Sequence, residues 1–160
     1  LPGEERALVP SNRNVATYDQ GPEMNAAGIT QEALTALEKD FDFLLINFAN
    51  PDMVGHTAIE PAIIRAVETV DACLGKIVDA TLAKQGTVVI TADHGNCEET
   101  IDKNGHPHTQ HTTNLVPFIL IGEKYKLQKS GGRLCDIAPT LLQILNIPQP
   151  SEMTGKSLLD

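Results

Sequence analysis

The sequence predicts an α/β fold, a mostly parallel sheet with helices on both faces. Short apolar runs of strand character alternate with longer stretches of helical period, and turn residues fall between them. No repeat or low-complexity tract interrupts the pattern, so residues 1–160 read as one unit. Residues 1–23 hold Pro2, Pro10 and Pro22 without a sustained period and read as an extended lead-in, with at most a short strand at 15–18. Thr30 is placed to cap a helix reaching about Lys39, with Ala33, Leu34 and Leu37 on one side and Asp40 closing it. The apolar run at 43–48, bounded by Asp42 and the Asn50-Pro51 turn signal, suits a strand buried on both faces. Thr57 and Glu60 have the spacing of a capping box, and Pro61 falls in the first turn that follows. A long helix is expected there, with Ile63, Val67, Val70, Leu74, Ile77 and Val78 on its apolar face and Gly86 ending it in the left-handed conformation. Residues 87–91 and 117–121 read as two further strands, and Asp136 as the cap of a last helix through Leu145.

Composition narrows the function. Of 160 residues 41% are apolar and 21% charged, the balance of an ordinary globular protein. Asp and Glu number 21 against 12 Lys and Arg, a net charge of −9 that repels polyanions, so nucleic acid is not an expected partner. No apolar run approaches the ~20 residues of a membrane span. Cys73, Cys97 and Cys135 are too few and too irregular for a disulfide framework, which suits a reducing, cytoplasmic setting. The start at Leu1, without an initiator methionine, carries the expectation of a piece of something longer.

All five histidines fall between positions 56 and 111. Asp52 and His56 stand four residues apart after the first predicted strand, so a tight loop or helical turn puts both on one side. Asp93 and His94 follow the second strand directly, and adjacent residues of extended chain point in opposite directions, so one strand end can serve two neighbouring metal ions. His106, His108 and His111 form a third group, among which spacing alone does not choose. Carboxylates and imidazoles without thiolates suit Mn, Zn or Mg, and two such ions suit phosphoryl transfer. Simpler readings stand beside this one: Asp-His as a loop hydrogen-bonding pair, His106 and His108 as solvated loop residues, and Cys97 as a packed side chain or a structural zinc ligand. No Gly-x-Ser-x-Gly elbow, Walker loop or dinucleotide fingerprint is present, and none of Ser11, Ser130, Ser151 and Ser157 stands where a nucleophile is expected. Arg6, Arg13, Arg65 and Arg133 are few for clamping a phosphorylated substrate.

The blocks Asn50-Pro51-Asp52-Met53-Val54-Gly55-His56-Thr57, Thr91-Ala92-Asp93-His94-Gly95-Asn96 and His108-Thr109-Gln110-His111-Thr112-Thr113-Asn114 with Val116-Pro117-Phe118 resemble, in order and spacing, the cofactor-independent phosphoglycerate mutases. Val15 to Asp19, Pro22-Glu23-Met24, Asp136 to Leu142 and Glu152-Met153-Thr154-Gly155 extend the resemblance over nearly the whole chain. It implies an alkaline-phosphatase-like domain, incomplete because N-terminal strands and an inserted domain are absent, with apolar surface or sheet edges left uncovered. The implied reaction interconverts 3-phosphoglycerate and 2-phosphoglycerate through a phosphoserine, with two Mn ions or Mg, Co or Zn in their place, without 2,3-bisphosphoglycerate, in a monomer. By position, Asp52, His56 and His111 correspond to the ligands of one metal, and Asp93 and His94 to ligands of the other. The nucleophilic serine has no counterpart here, so the segment alone is expected to be inactive. Gly55-His56-Thr57-Ala58 replaces the frequent Gly-His-Thr-Gly, a minor change if Ala58 begins the helix. Other phosphomutases or phosphatases of the alkaline phosphatase superfamily share the Asp-His-Gly motif and remain the nearest alternative, with a non-catalytic zinc module behind them.

Overall fold

A computed structural model describes residues 3–12, 14–128 and 131–160; Arg13 and Ser130 lie outside them. In chain order the regular elements are α1 (Ala26–Leu37), α2 (Asn50–Gly55), α3 (Glu60–Ala83), β1 (Val88–Thr91), β2 (Phe118–Ile121) and α4 (Ile137–Ile144), with 3-10 turns at Tyr18–Gln20 and Leu134–Asp136. Tyr18 thus enters a helical turn, and the short strand considered at 15–18 is not formed.

The first helix starts earlier than Thr30, because the Asn25 side chain accepts the Gly28 N–H and supplies the cap. Thr30 is buried within α1, its hydroxyl donating to the Ala26 carbonyl at 2.8 Å. Residues 43–48 alternate between exposed and half-buried, but no ladder pairs them. Leu45 is 86% exposed, so burial on both faces is not met. Other apolar side chains are also uncovered, Phe43, Leu115 and Ile119 among them.

The Asn50-Pro51 signal opens a helix, α2, with Pro51 in the first turn, where its fixed φ helps and its missing N–H costs nothing. Asn50 is buried, and its amide donates to the Pro22 and Glu23 carbonyls at 2.9 Å, tying the lead-in to α2. Thr57 makes no capping box. Its hydroxyl donates to the Val54 carbonyl at 2.7 Å and accepts the Ile59 N–H, and Ile59 is the N-cap of α3. Ala58 lies outside the helix, in the left-handed region at φ +51°.

The buried stripe of α3 is Ala62, Ile63, Ala66, Cys73 and Ile77, rotated from the expected one so that Val67 faces solvent. Small residues explain the rotation: α1 offers Ala26, Thr30 and Ala33, and small faces let two helices approach closely. The helix ends in a Schellman turn in which Gln85, not Gly86, is left-handed (φ +60°), while the Gly86 N–H reaches back to the Thr81 carbonyl. Val54, Ala62, Ile63 and Ala66 form a buried cluster, with Tyr18 and Cys97 packed against it.

The α/β class holds, but the strand pairing differs. Among the described residues the sheet has two strands, β1 and β2, antiparallel in the register Val88↔Ile121 to Thr91↔Phe118. A parallel pair needs a crossover, usually a helix, and residues 92–117 contain none, so the chain turns back on itself. Asp136 stands at the N-cap of α4, but its carboxylate does not cap that helix. It accepts the backbone N–H of Arg133 and of Lys156, each at 2.8 Å, anchoring the C-terminal segment.

Candidate metal centre

Three loops meet at Asp52. The short helix α2 stacks Asp52 and His56 one turn apart, and the fully buried Val54 roots that turn in the core. Antiparallel pairing continues past the strands as a bridge between Gly95 and Thr112, in which the Thr112 N–H donates to the Gly95 carbonyl at 2.8 Å. That bridge lays His94 against His111, their rings stacked at 3.7 Å, with the His56 ring 5.0 Å from His111.

Imidazole nitrogens converge on one carboxylate oxygen. Nε2 of His111, His56 and His94 lies 3.0, 3.3 and 3.9 Å from Asp52 Oδ1. Asp93 joins at the edge, its Oδ1 3.7 Å from His94 Nε2 and its side chain 90% exposed. Ligand atoms of Asp52, His94 and His111 all lie within 4.8 Å of one another. This trio draws on both ligand sets implied by the resemblance, because Asp52 stands between them.

The donor chemistry fits a cation. His56 Nδ1 is 2.8 Å from the Thr109 carbonyl, which can only accept, so Nδ1 carries a proton and Nε2 is the nitrogen left to face a cation. His94 has the same arrangement through the Gly95 carbonyl at 3.3 Å. His111 Nε2 and Asp52 Oδ1 are hydrogen-bonded at 3.0 Å, a contact that a cation between them would replace. Two ligand atoms each about 2.0–2.2 Å from one ion lie roughly 3–3.5 Å apart, the separation found here for His56 and His111.

Surrounding groups hold these atoms in place. Asn96 is buried, and its Nδ2 donates to Asp52 Oδ1 at 3.0 Å and to the Asp52 carbonyl at 3.3 Å, with His56 Nε2 at 3.4 Å. Its Oδ1 is without a hydrogen-bond partner among the described residues and packs against Gly55. Glu98 accepts from the Thr112 hydroxyl, the Asn114 amide and the Asn96 N–H. Partial loss of solvent alone would raise its pKa, but these donors and its own backbone N–H bring the carboxyl down to about 2. Burial pushes the Cys97 thiol up, with the Glu98 charge adding to it, and the side chain packs against the Val54 cluster.

His106 and His108 turn to other partners: His106 pairs with Asp102 at 3.7 Å, and His108 Nδ1 faces the Glu99 carbonyl. Asn96, Glu98, Thr112 and Asn114 also belong to this site, although residue type and spacing assign them no role. Asn96, Thr112 and Asn114 stand inside the motif blocks, whereas no periodicity or spacing marks Glu98.

The fold and the site define a metal-binding α/β protein, and residues 1–149 match the family model of the Metalloenzyme superfamily, to which the chain belongs. Among curated proteins it is similar to the 2,3-bisphosphoglycerate-independent phosphoglycerate mutase of Clostridium botulinum (strain ATCC 19397 / Type A), 56% identical over 159 residues that make up 98% of this chain and 31% of that protein. The enzyme of the same name from Moorella thermoacetica is 55% identical over 160 residues, 99% of this chain and 31% of the relative. A crystal structure of Leishmania mexicana phosphoglycerate mutase at low cobalt concentration superposes with a TM-score of 0.82 at 31% identity, covering 95% of this chain and 31% of that one. The chain therefore spans about a third of the length of these relatives.

Proposed function

We propose that this chain is one segment of a phosphoglycerate mutase that interconverts 3-phosphoglycerate and 2-phosphoglycerate through a phosphoserine, independently of 2,3-bisphosphoglycerate. Residues 1–160 act as a single unit supplying metal ligands: Asp52, His56 and His111 to one ion, Asp93 and His94 to the other. Manganese is the metal proposed, with Mg, Co or Zn able to replace it in such a donor set. The observation that carries this reading is the convergence of three imidazole Nε2 atoms on Asp52 Oδ1, in a chain more than half identical to enzymes of that name.

When bound, such ions acidify a hydroxyl nucleophile and stabilise charge on a phosphoryl group in transfer. The chain's own residues prepare the place. The Thr109 and Gly95 carbonyls fix the ring protons of His56 and His94 on Nδ1, and the Asn96 amide orients the Asp52 carboxylate. The nucleophilic serine of that reaction has no counterpart among these residues, so the segment alone is inactive. The parent protein is a cytoplasmic monomer with no nucleic acid or membrane partner. The net charge of −9 supports the former exclusion, and among the described residues no helix is long and apolar enough to cross a membrane.

The test is a substrate panel on the full-length protein, stripped with chelator and resupplied with Mn2+. Interconversion of the phosphoglycerates, lost in Asp52→Ala, is the expected outcome. Turnover confined to pentose phosphates or a generic phosphate ester would replace the mutase with a sister enzyme of the superfamily. Metal retention that survives Asp93→Ala but not Cys97→Ala would point instead to a structural zinc module.

A further inference from the structure

We infer that Glu98 is a positioning residue that seats His111 in the metal centre, an inference that rests on the metal-binding reading above. His111 belongs to no helix or strand, and its side chain is 49% exposed. Its ring meets His94, His56 and Asp52, which are themselves members of the centre. The loop that carries it must therefore fix its place, and Glu98 holds that loop. Glu98 Oε1 accepts from the Thr112 hydroxyl and from Asn114 Nδ2 at 3.0 Å, while Oε2 accepts the Asn96 N–H at 2.7 Å. One carboxylate thus joins the residue next to His111 to the residue whose amide orients Asp52. With Glu98 removed, the Gly95–Thr112 bridge and the 3.3 Å bond from Asn114 Nδ2 to Glu99 Oε2 remain to join the two loops there.

The residue type matters. Three donors converge on two oxygens, and only an ionised carboxylate offers acceptors on both sides. A glutamine in its place must turn an NH2 group toward either the Asn96 N–H or the Thr112–Asn114 pair, setting donor against donor. Both Glu98 oxygens are engaged with protein donors, so it acts on the metal through the residues it holds, and the Thr112–Asn114 side of the carboxylate is the one that leads to His111.

The experiment is a double-mutant cycle in the full-length protein, with Mn2+ alone as the probe and calorimetry as the readout. Glu98→Ala is expected to weaken Mn2+ binding by about 10-fold, the scale typical of groups that orient a ligand. In a His111→Ala background the same substitution is expected to change binding by less than about 2-fold, because its effect passes through His111. Amide exchange in the metal-free protein is expected to speed up at Thr112 and Asn114. A Glu98→Ala protein that binds Mn2+ like the parent overturns the inference, and so does an equal loss in both backgrounds, the mark of an action that does not pass through His111. If His111→Ala itself leaves Mn2+ binding intact, His111 is not a ligand, and the metal-centre reading fails together with this one. If Glu98→Ala does not fold, Glu98→Gln takes its place in the same cycle, judged by the same comparison.

Discussion

Gly55→Ala adds one methyl group between the core and the candidate metal centre, and the structure sets the scale of its effect. A Cβ on Gly55 would stand 2.8 Å from Asn96 Cγ, where ordinary contacts begin at 3.4 Å, so the amide must retreat by at least 3.4 − 2.8 = 0.6 Å. The Asn96–Asp52 hydrogen bond of 3.0 Å does not survive a displacement of that size. Losing it costs about 1.5 kcal/mol, the low end for a bond to a charged group because the Asp52 side chain is 35% exposed. Overpacking adds about 1–2 kcal/mol, and the better helix propensity of alanine returns about 1 kcal/mol. The balance is a loss of about 2 kcal/mol, a fall in Tm of roughly 4–8 °C for a domain of this size. Thermal melts of the parent, Gly55→Ala, Asn96→Ala and the double variant measure it. With alanine at 96 the overlap is gone, and Gly55→Ala is then expected to be neutral or mildly stabilising. A loss of equal size in both backgrounds would refute the collision with Asn96 as its cause.

Three further outcomes follow from the same structure. Ala58 is held at φ +51°, a conformation that costs an L-residue about 1–2 kcal/mol, so Ala58→Gly should raise stability by about 0.5–1 kcal/mol in chemical denaturation despite the greater unfolded-state entropy of glycine. The Lys156 and Arg133 N–H groups lower the Asp136 carboxyl below its ordinary 3.8, so its contribution is present above that pH and is lost as pH falls through the folded-state value. Melts of Asp136→Asn against the parent should therefore show a gap that narrows as pH drops from 5 towards 2, and a constant gap would contradict the assignment. The buried Thr140 hydroxyl donates to the Asp136 carbonyl at 2.7 Å and accepts the Leu158 N–H at 3.0 Å. Thr140→Val leaves that N–H unpaired, with an expected loss of about 1–3 kcal/mol and faster exchange of the Leu158 amide; unchanged exchange would remove this role.

Local chemistry that acts within a few residues was legible in the sequence. The period of α3, the β-branched run of β1, the apolar run of β2 and the four-residue spacing of Asp52 and His56 are all local patterns. Misplaced features depend on which of several nearby groups wins a contest. Asn25 caps α1 ahead of Thr30, Gln85 takes the left-handed position ahead of Gly86, and Thr57 spends its hydroxyl on Val54 rather than on a capping box. The face of α3 turned away from Val67 because its neighbour, α1, presents small residues, a fact that no reading of α3 alone contains.

By itself, then, the sequence determined the α/β class, the residue types of the site and their spacing along the chain, since these depend on near neighbours and on intrinsic ligand chemistry. Tertiary structure alone decided the antiparallel pairing of β1 with β2, and with it the Gly95–Thr112 bridge that stacks His94 on His111 beside Asp52. It also decided which groups Asn96 and Glu98 meet around the candidate site. Their partners, Asp52 in one direction and Thr112 and Asn114 in the other, lie many residues away in sequence, and only the folded chain brings donor and acceptor within hydrogen-bonding distance.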